Sequence, residues 1–266
     1  MALVNRLLMT GAAGGIGKQI REGLRDFATH LRLSDIADLG VAGPGEELVD
    51  CDITDAEALR ALVKGCDAIL HFGGISTEDR ADLIHRINIE GSYHLYEAAR
   101  KEGARRILFA SSNHVTGFHP RETRLTASSP IRPDSNYGVS KAYGEALARL
   151  YWDKYGVETL IVRIGSCFPE PKDRRMMATW MSAGDMLRLI ERMLAAPRLG
   201  CPIVYGVSDN DESWWDNSEA AYLGWRPKDS SRQFAGMFDH LPPENPTDPA
   251  VVWQGGGFAK AGHFDD

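Results

Sequence analysis

Tyr137 and Lys141 stand four residues apart in Tyr137-Gly-Val-Ser-Lys141. On a helix, positions i and i+4 share a face, so the phenol and the ammonium project into one cleft. A free phenol ionises near pH ~10 and is a poor base at neutrality. A neighbouring cation favours the phenolate and brings it into the range where it can take a proton from an alcohol. Ser111-Ser112-Asn113 offers hydroxyls able to hold the reacting oxygen beside such a base. A lone Tyr-x-x-x-Lys pair arises easily by chance, so its meaning depends on its surroundings.

Those surroundings include Gly11-Ala12-Ala13-Gly14-Gly15-Ile16-Gly17, directly after the apolar run Arg6–Thr10. The glycines at 11, 14 and 17 follow G-x-x-G-x-x-G, a variant of the simplest dinucleotide fingerprint. Such a turn lets the backbone approach a pyrophosphate, and the helix N-terminus behind it presents free N–H groups to the negative charge. Alone, a glycine triplet is a tight turn; between a first strand and an amphipathic helix it predicts a dinucleotide site. Gly15 and Ile16 belong to the same cradle. Asp35, 18 residues past Gly17, is placed to accept hydrogen bonds from ribose hydroxyls and to repel a 2′-phosphate, which selects NAD over NADP; Asp38 competes for the role. Asp52-Ile53 ends the next strand, where an aspartate reaches an adenine amino group, although Asp52 and Asp55 suit helix caps equally well. Phe72-Gly73-Gly74 again permits close passage of a dinucleotide. A positively charged nicotinamide would add to the effect of Lys141 on Tyr137.

The elements that must hold these residues follow from the hydrophobic pattern. Strands are predicted at Arg6–Thr10, His30–Ser34, Glu47–Cys51, Ala68–Phe72, Arg106–Ser111, Thr159–Ile164 and Pro202–Gly206. Helices are predicted at Gly15–Phe27, Ala56–Lys64, Asp82–Glu102, Asn136–Tyr155 and Met186–Leu194. Alternation of this kind means an α/β fold of Rossmann type, a doubly wound parallel sheet with ligands at the carboxyl ends of its strands. Residues 1–167 form the NAD-binding core with Tyr137 and Lys141, and 168–266 a small substrate-covering C-terminal region interleaved with it. The tail after Pro242 is expected to lie over the surface or on a neighbouring subunit. Trp214 and Trp215 are expected in a core or a subunit contact.

Composition removes several classes of function. The net charge of -7, with no Lys/Arg run, argues against a nucleic-acid partner. No stretch approaches the ~18 apolar residues of a membrane span. Cys51, Cys66, Cys167 and Cys201 are too dispersed for a metal site or a disulfide framework and read as reduced thiols of a cytoplasmic protein.

Together these residues resemble the extended short-chain dehydrogenase/reductase superfamily over roughly residues 1–166. The resemblance implies Ser112, Tyr137 and Lys141 as the catalytic set, with Lys141 also binding the nicotinamide ribose. It makes Asn88, in Asn88-Ile-Glu-Gly91, a structural support. Further segments are similar to the uronate dehydrogenases: Gly73-Gly-Ile-Ser76, Ala110-Ser-Ser-Asn-His114, Arg163-Ile-Gly-Ser-Cys-Phe-Pro-Glu-Pro171 with Arg174-Arg175-Met176, Trp214-Trp-Asp-Asn217 and Gln254-Gly-Gly. That similarity implies oxidation of the anomeric hydroxyl of D-glucuronate or D-galacturonate to the aldarolactone, with NAD reduced. It implies Arg175 on the sugar carboxylate, with Arg174 the competing choice, and Ser76, Asn113, His114 and Ser166 on the sugar. It also implies a homo-oligomer. The competing expectations are a nucleotide-sugar epimerase or dehydratase, for which the C-terminal region is short, and a non-catalytic NAD-sensing regulator, for which a tyrosine–lysine pair has no use. Glucuronate and galacturonate differ only at C4, and the sequence does not choose between them.

Overall fold

Residues alternate across the first strand, β1 (Val4–Thr10): Leu7 and Met9 enter one buried cluster and Leu8 another, as the two-residue period of a strand requires. Both faces are therefore covered, which is the condition for a parallel sheet. The computed structural model describes residues 2–263. Seven parallel strands are ordered β3-β2-β1-β4-β5-β6-β7. The others are β2 (Ala28–Asp35), β3 (Glu46–Asp50), β4 (Ala68–His71), β5 (Arg106–Ser112), β6 (Glu158–Ile164) and β7 (Ile203–Gly206).

On one face Ile20 and Leu24 of α1 (Gly15–Leu24) pack with Met186, Leu189, Ile190 and Met193 of α7 (Ala183–Ala195). On the other, Leu59 and Leu62 of α2 (Ala56–Val63) meet Leu95 and Tyr96 of α4 (Gly91–Glu102) and Ala148 and Tyr151 of α5 (Asn136–Tyr155). The predicted strands are present within one or two residues of the expected ends. The helix predicted over 82–102 begins as α3 (Ala81–Ile84) and passes through a π-helical stretch, His85–Glu90, before α4. The wide turn carries Asn88, whose amide donates to Ile75 O (3.0 Å) and Ser140 Oγ (3.0 Å) while its oxygen accepts from Ile75 N (2.8 Å). One buried side chain thus ties the loop after β4 to the helix bearing Lys141.

Helix α7 starts three residues earlier than the pattern predicts because Ser182 caps it, accepting from Asp185 N at 2.8 Å. A short helix α6 (Arg174–Thr179), capped by Asp173 through Met176 N (2.8 Å), has no apolar period to announce it. The tail holds two further short helices, α8 (Pro249–Val252) and α9 (Gly257–Lys260). It does not merely lie over the surface: Gln254 N donates to His119 O (2.9 Å) and Gly255 N to Gly117 O (2.9 Å). Trp215 is buried in a small cluster, stacked on Tyr205 with centroids 4.9 Å apart. The four cysteines are all buried and free. Among the described residues, no helix is long and apolar enough to cross a membrane.

Candidate active site

A cleft of about 950 Å³ opens along the carboxyl ends of β1, β2, β4, β5 and β6. Gly11 turns the chain out of β1 with φ +72°, and a Cβ there would lie 2.5 Å from the Phe72 carbonyl carbon, so no other residue fits. Gly14 stands at the N-cap of helix α1 and offers no side chain to cap it, and no acid lies in the first turn, which leaves the helix N–H groups and positive dipole end for an anion. Gly14, Gly15, Ile16 and Gly17 line this end. A Cβ on Gly15 would meet nothing within 4 Å, so the cradle is open where a pyrophosphate would pass.

Asp35 sits at the tip of β2, where its Oδ2 accepts from Ala13 N (2.9 Å) and its Oδ1 from Ala37 N (3.1 Å). Each carboxylate oxygen retains acceptor capacity toward the cleft. Asp38 turns away and accepts from Gly40 N (2.8 Å), and it does not line the cleft. The ambiguity between Asp52 and Asp55 also resolves by geometry. Asp55 caps α2, accepting from Glu57 N and Ala58 N, whereas Asp52 takes Thr54 N and Oγ1 (both 2.9 Å) and faces the cleft with Ile53. Phe72, Gly73 and Gly74 complete this half. The uncapped helix, the open glycine turn and the carboxylate at the β2 tip fit a dinucleotide with free ribose hydroxyls.

Tyr137 and Lys141 stand on the first two turns of α5, which Ser135 caps through Gly138 N (3.0 Å). Glu78, from the loop after β4, accepts from Asn136 N (3.1 Å) and Tyr137 N (2.8 Å) and so fixes that helix end against the loop carrying Ser76. Ser112 lies beside the Tyr137 phenol and its hydroxyl accepts from His114 N (3.2 Å), while Ser111 donates to buried Glu145 at 2.6 Å on the other side of β5. Alternation along the strand therefore assigns the two serines to different faces. Lys141 Nζ lies 5.6 Å from the Tyr137 ring centroid. Burial pushes the phenol up to about 12, against the lowering effect of Ser112, and pushes the Lys141 ammonium down to about 8. The protein alone thus keeps the phenol protonated.

The far end of the cleft is polar and closed by the chain's last turns. Arg175 is half-buried and donates from Nε to Gln254 O (2.7 Å). With the Asn113 amide nitrogen donating to Ile164 O (3.1 Å), its oxygen accepts from Arg175 Nη2 (2.7 Å). Among the described residues no carboxylate forms an ion pair with Arg175, and burial pushes its guanidinium down to about 10. Arg174 points elsewhere, clamping the tail through Phe238 O (2.9 Å), Leu241 O (2.5 Å) and Pro242 O. His114 Nδ1 lies 2.8 Å from Asp134 Oδ2, and its ring stacks on Phe258 with centroids 3.8 Å apart. Ser166 shares a hydrogen bond with Thr179 Oγ1 (2.9 Å) and lines the cleft, as Ser76 does. The sequence-predicted cofactor, catalytic and substrate positions all face this one cleft, whereas the competing choices Asp38, Asp55 and Arg174 do not line it. Glu78, Asp134, Gln254 and Phe258 were not legible as site residues; the one available signal was the glycine run after Gln254, Gly255-Gly256-Gly257, which lets the chain pass close to other backbone.

Such an arrangement can hold an alcohol oxygen between a serine and a tyrosine, with an unpaired cation some way along the cleft for an anionic substituent. Residues 7–188 match the NAD dependent epimerase/dehydratase family. The uronate dehydrogenase of Pseudomonas putida is 53% identical over 262 residues, covering 98% of both chains. Among solved structures, a glucuronic acid dehydrogenase from Chromohalobacter salexigens superposes with a TM-score of 0.97 at 56% identity, covering 98% of this chain and 99% of the other. A mutant uronate dehydrogenase from Agrobacterium tumefaciens, complexed with NAD, gives 0.94 at 52% identity over 97% and 98%.

Proposed function

The chain belongs to the NAD dependent epimerase/dehydratase family, in its uronate dehydrogenase branch, and we propose that it oxidises the anomeric C1 hydroxyl of cyclic D-glucuronate and D-galacturonate to the aldarolactone. The observation that carries this reading is Arg175, a half-buried guanidinium that forms no ion pair with any carboxylate among the described residues, in the same cleft as Tyr137 and Ser112. A partly desolvated cation without an ion-pair partner is suited to an anionic complement, and a planar guanidinium matches a carboxylate through two parallel hydrogen bonds. A sugar bearing a carboxylate at one end and an oxidisable hydroxyl at the other answers both ends of the site.

Bound NAD supplies the hydride acceptor for C1 and a positive ring charge beside the phenol. Asp35, Asp52, Ile53 and the glycine turn hold its adenosine and pyrophosphate, and Lys141 its nicotinamide ribose. Ser112 donates to the C1 oxygen and holds it against Tyr137. The Tyr137 phenolate takes the hydroxyl proton as the C1–O bond becomes the lactone carbonyl. Lys141, whose Nζ lies 5.6 Å from the ring centroid, favours the phenolate in that step. Ser76, Asn113, His114 and Ser166 orient the remaining sugar oxygens and the carboxylate. Residues 168–266 form the substrate-covering part, interleaved with the sheet through β7. Self-association and a cytoplasmic location belong to the same reading.

The test is NADH absorbance after mixing protein, NAD and either uronate, with glucose and galactose as controls. Turnover with uronates alone supports the reading. Silence with uronates, and NAD that stays bound through purification, would favour a nucleotide-sugar epimerase instead.

A further inference from the structure

Gln254 is 1% exposed and does not line the cleft, yet each of its polar groups has a protein partner. Its Oε1 accepts from Trp215 Nε1 (2.8 Å), and its Nε2 donates to Thr123 O (2.7 Å) and Pro120 O (3.2 Å). Its backbone N donates to His119 O (2.9 Å). The remaining group, the carbonyl, accepts from Arg175 Nε (2.7 Å).

The anchor is itself anchored. Trp215 lies flat on Tyr205, the planes 15° apart, and Tyr205 OH accepts from Arg163 Nη1 (3.2 Å). Arg163 is gripped by both oxygens of Glu145 (2.9 and 2.8 Å), eight positions beyond Tyr137 on α5. A continuous buried chain of polar and stacked groups therefore runs from the catalytic helix to the guanidinium. Immediately after Gln254 the strap passes Arg175 closely: a Cβ on Gly256, at φ +63°, would lie 2.6 Å from Arg175 Cδ.

A guanidinium has five N–H groups in a fixed fork. With Nε committed to Gln254 O and one Nη2 hydrogen to Asn113, the hydrogens left for holding a carboxylate by two bonds are those of Nη1 and the second of Nη2, across the Nη1–Nη2 edge. We infer that Gln254 is the positioning residue for Arg175: its buried side chain fixes the strap so that its carbonyl aims this edge at the substrate carboxylate and sets selectivity for acid sugars. The inference rests on the reading of Arg175 as the carboxylate ligand. A bound anion gains from a guanidinium held in advance, because no freedom is lost at the moment of binding.

The experiment is a double-mutant cycle with Gln254→Leu and Arg175→Ala, in steady-state assays with glucuronate varied at saturating NAD. Gln254→Leu should raise the glucuronate KM about tenfold, the effect of misaligning one charge-assisted hydrogen bond, with kcat changed by less than about threefold. NAD binding followed by fluorescence titration should be unchanged, which also establishes that the variant is folded. On the Arg175→Ala background Gln254→Leu should add nothing further, since the two act as a unit. Trp215→Phe keeps a ring on Tyr205 and removes the indole donor; it should shift KM in the same direction by less, and it serves the same cycle if Gln254→Leu does not fold. Independent, multiplying effects, or a loss confined to kcat or NAD affinity, would overturn the inference while leaving the uronate reading intact. Absence of wild-type turnover with uronates would instead remove the reading on which it rests.

Discussion

His114 Nδ1 faces Asp134 Oδ2 at 2.8 Å, and the carboxylate is fully buried beneath the strap that carries Phe258. The carboxylate makes Nδ1 the protonated nitrogen. Burial holds the ring's ionisation below its ordinary range despite the opposing pull of Asp134, so the neutral ring has its lone pair on Nε2. His114 therefore presents an acceptor, suited to a sugar hydroxyl. Asp134→Asn removes the tautomer preference and should raise the uronate KM about tenfold, with NAD affinity unchanged. Steady-state kinetics beside an NAD titration check it. A fall in kcat at constant KM would show that the pair does not act on substrate binding.

Tyr137→Phe removes the proton acceptor and keeps the ring. A general base contributes about 10²–10⁴-fold, so kcat should fall by roughly that factor while NAD still binds. Single-turnover NADH formation in the variant measures it, and a loss below about tenfold would exclude Tyr137 as the base.

Arg175→Ala should lower kcat/KM for glucuronate by on the order of 10²-fold, equivalent to about 3 kcal/mol of charge-assisted hydrogen bonding. Arg175→Lys keeps the charge and loses the fork, and should recover only part of that loss. Arg174→Ala, whose side chain holds the tail and not the cleft, should change KM far less.

Lys141 illustrates a site residue that costs stability. Its folded ionisation, pushed down to about 8 by burial, lies below its ordinary 10.5. Between these values the unfolded chain binds a proton that the folded one does not, so this contribution improves stability as pH rises through the window. Below pH 8 both states are protonated and the full penalty, on the order of 3 kcal/mol, is present. Lys141→Met should therefore be more stable than wild type at pH 7 in urea unfolding, with the difference narrowing by pH 10, and should be inactive. Tyr137 has the opposite sign: its phenol is pushed up to about 12 from 10, so its contribution declines as pH rises across that range.

The pair Arg163–Glu145, both nearly fully buried, is a test of the frame behind the site. Arg163→Met leaves Glu145 buried with only Ser111 as a donor and should cost about 3–5 kcal/mol of unfolding free energy. Glu145→Gln with Arg163→Met should recover part of it, because no uncompensated charge remains.

Local chemistry was legible in the sequence. The Tyr137–Lys141 spacing, the glycine turn after β1 and the alternation of strands and helices each depend on residues within a few positions of one another, where chain geometry alone fixes the relation. Asp35 and Asp52 were legible as strand-end carboxylates, but only the tertiary structure shows that both line the cleft while Asp38 and Asp55 turn to backbone N–H groups outside it. The short helix bearing Arg175 escaped because six residues carry too little period to reveal it. Only the tertiary structure decided how the acid end of the cleft is made: Arg175 meets a carbonyl 79 residues away, and His114 meets an aspartate 20 residues away and a phenylalanine from the last helix. Such contacts are selected by packing of the whole chain, through shape and hydrogen-bond satisfaction in the buried interior, and no local spacing encodes them.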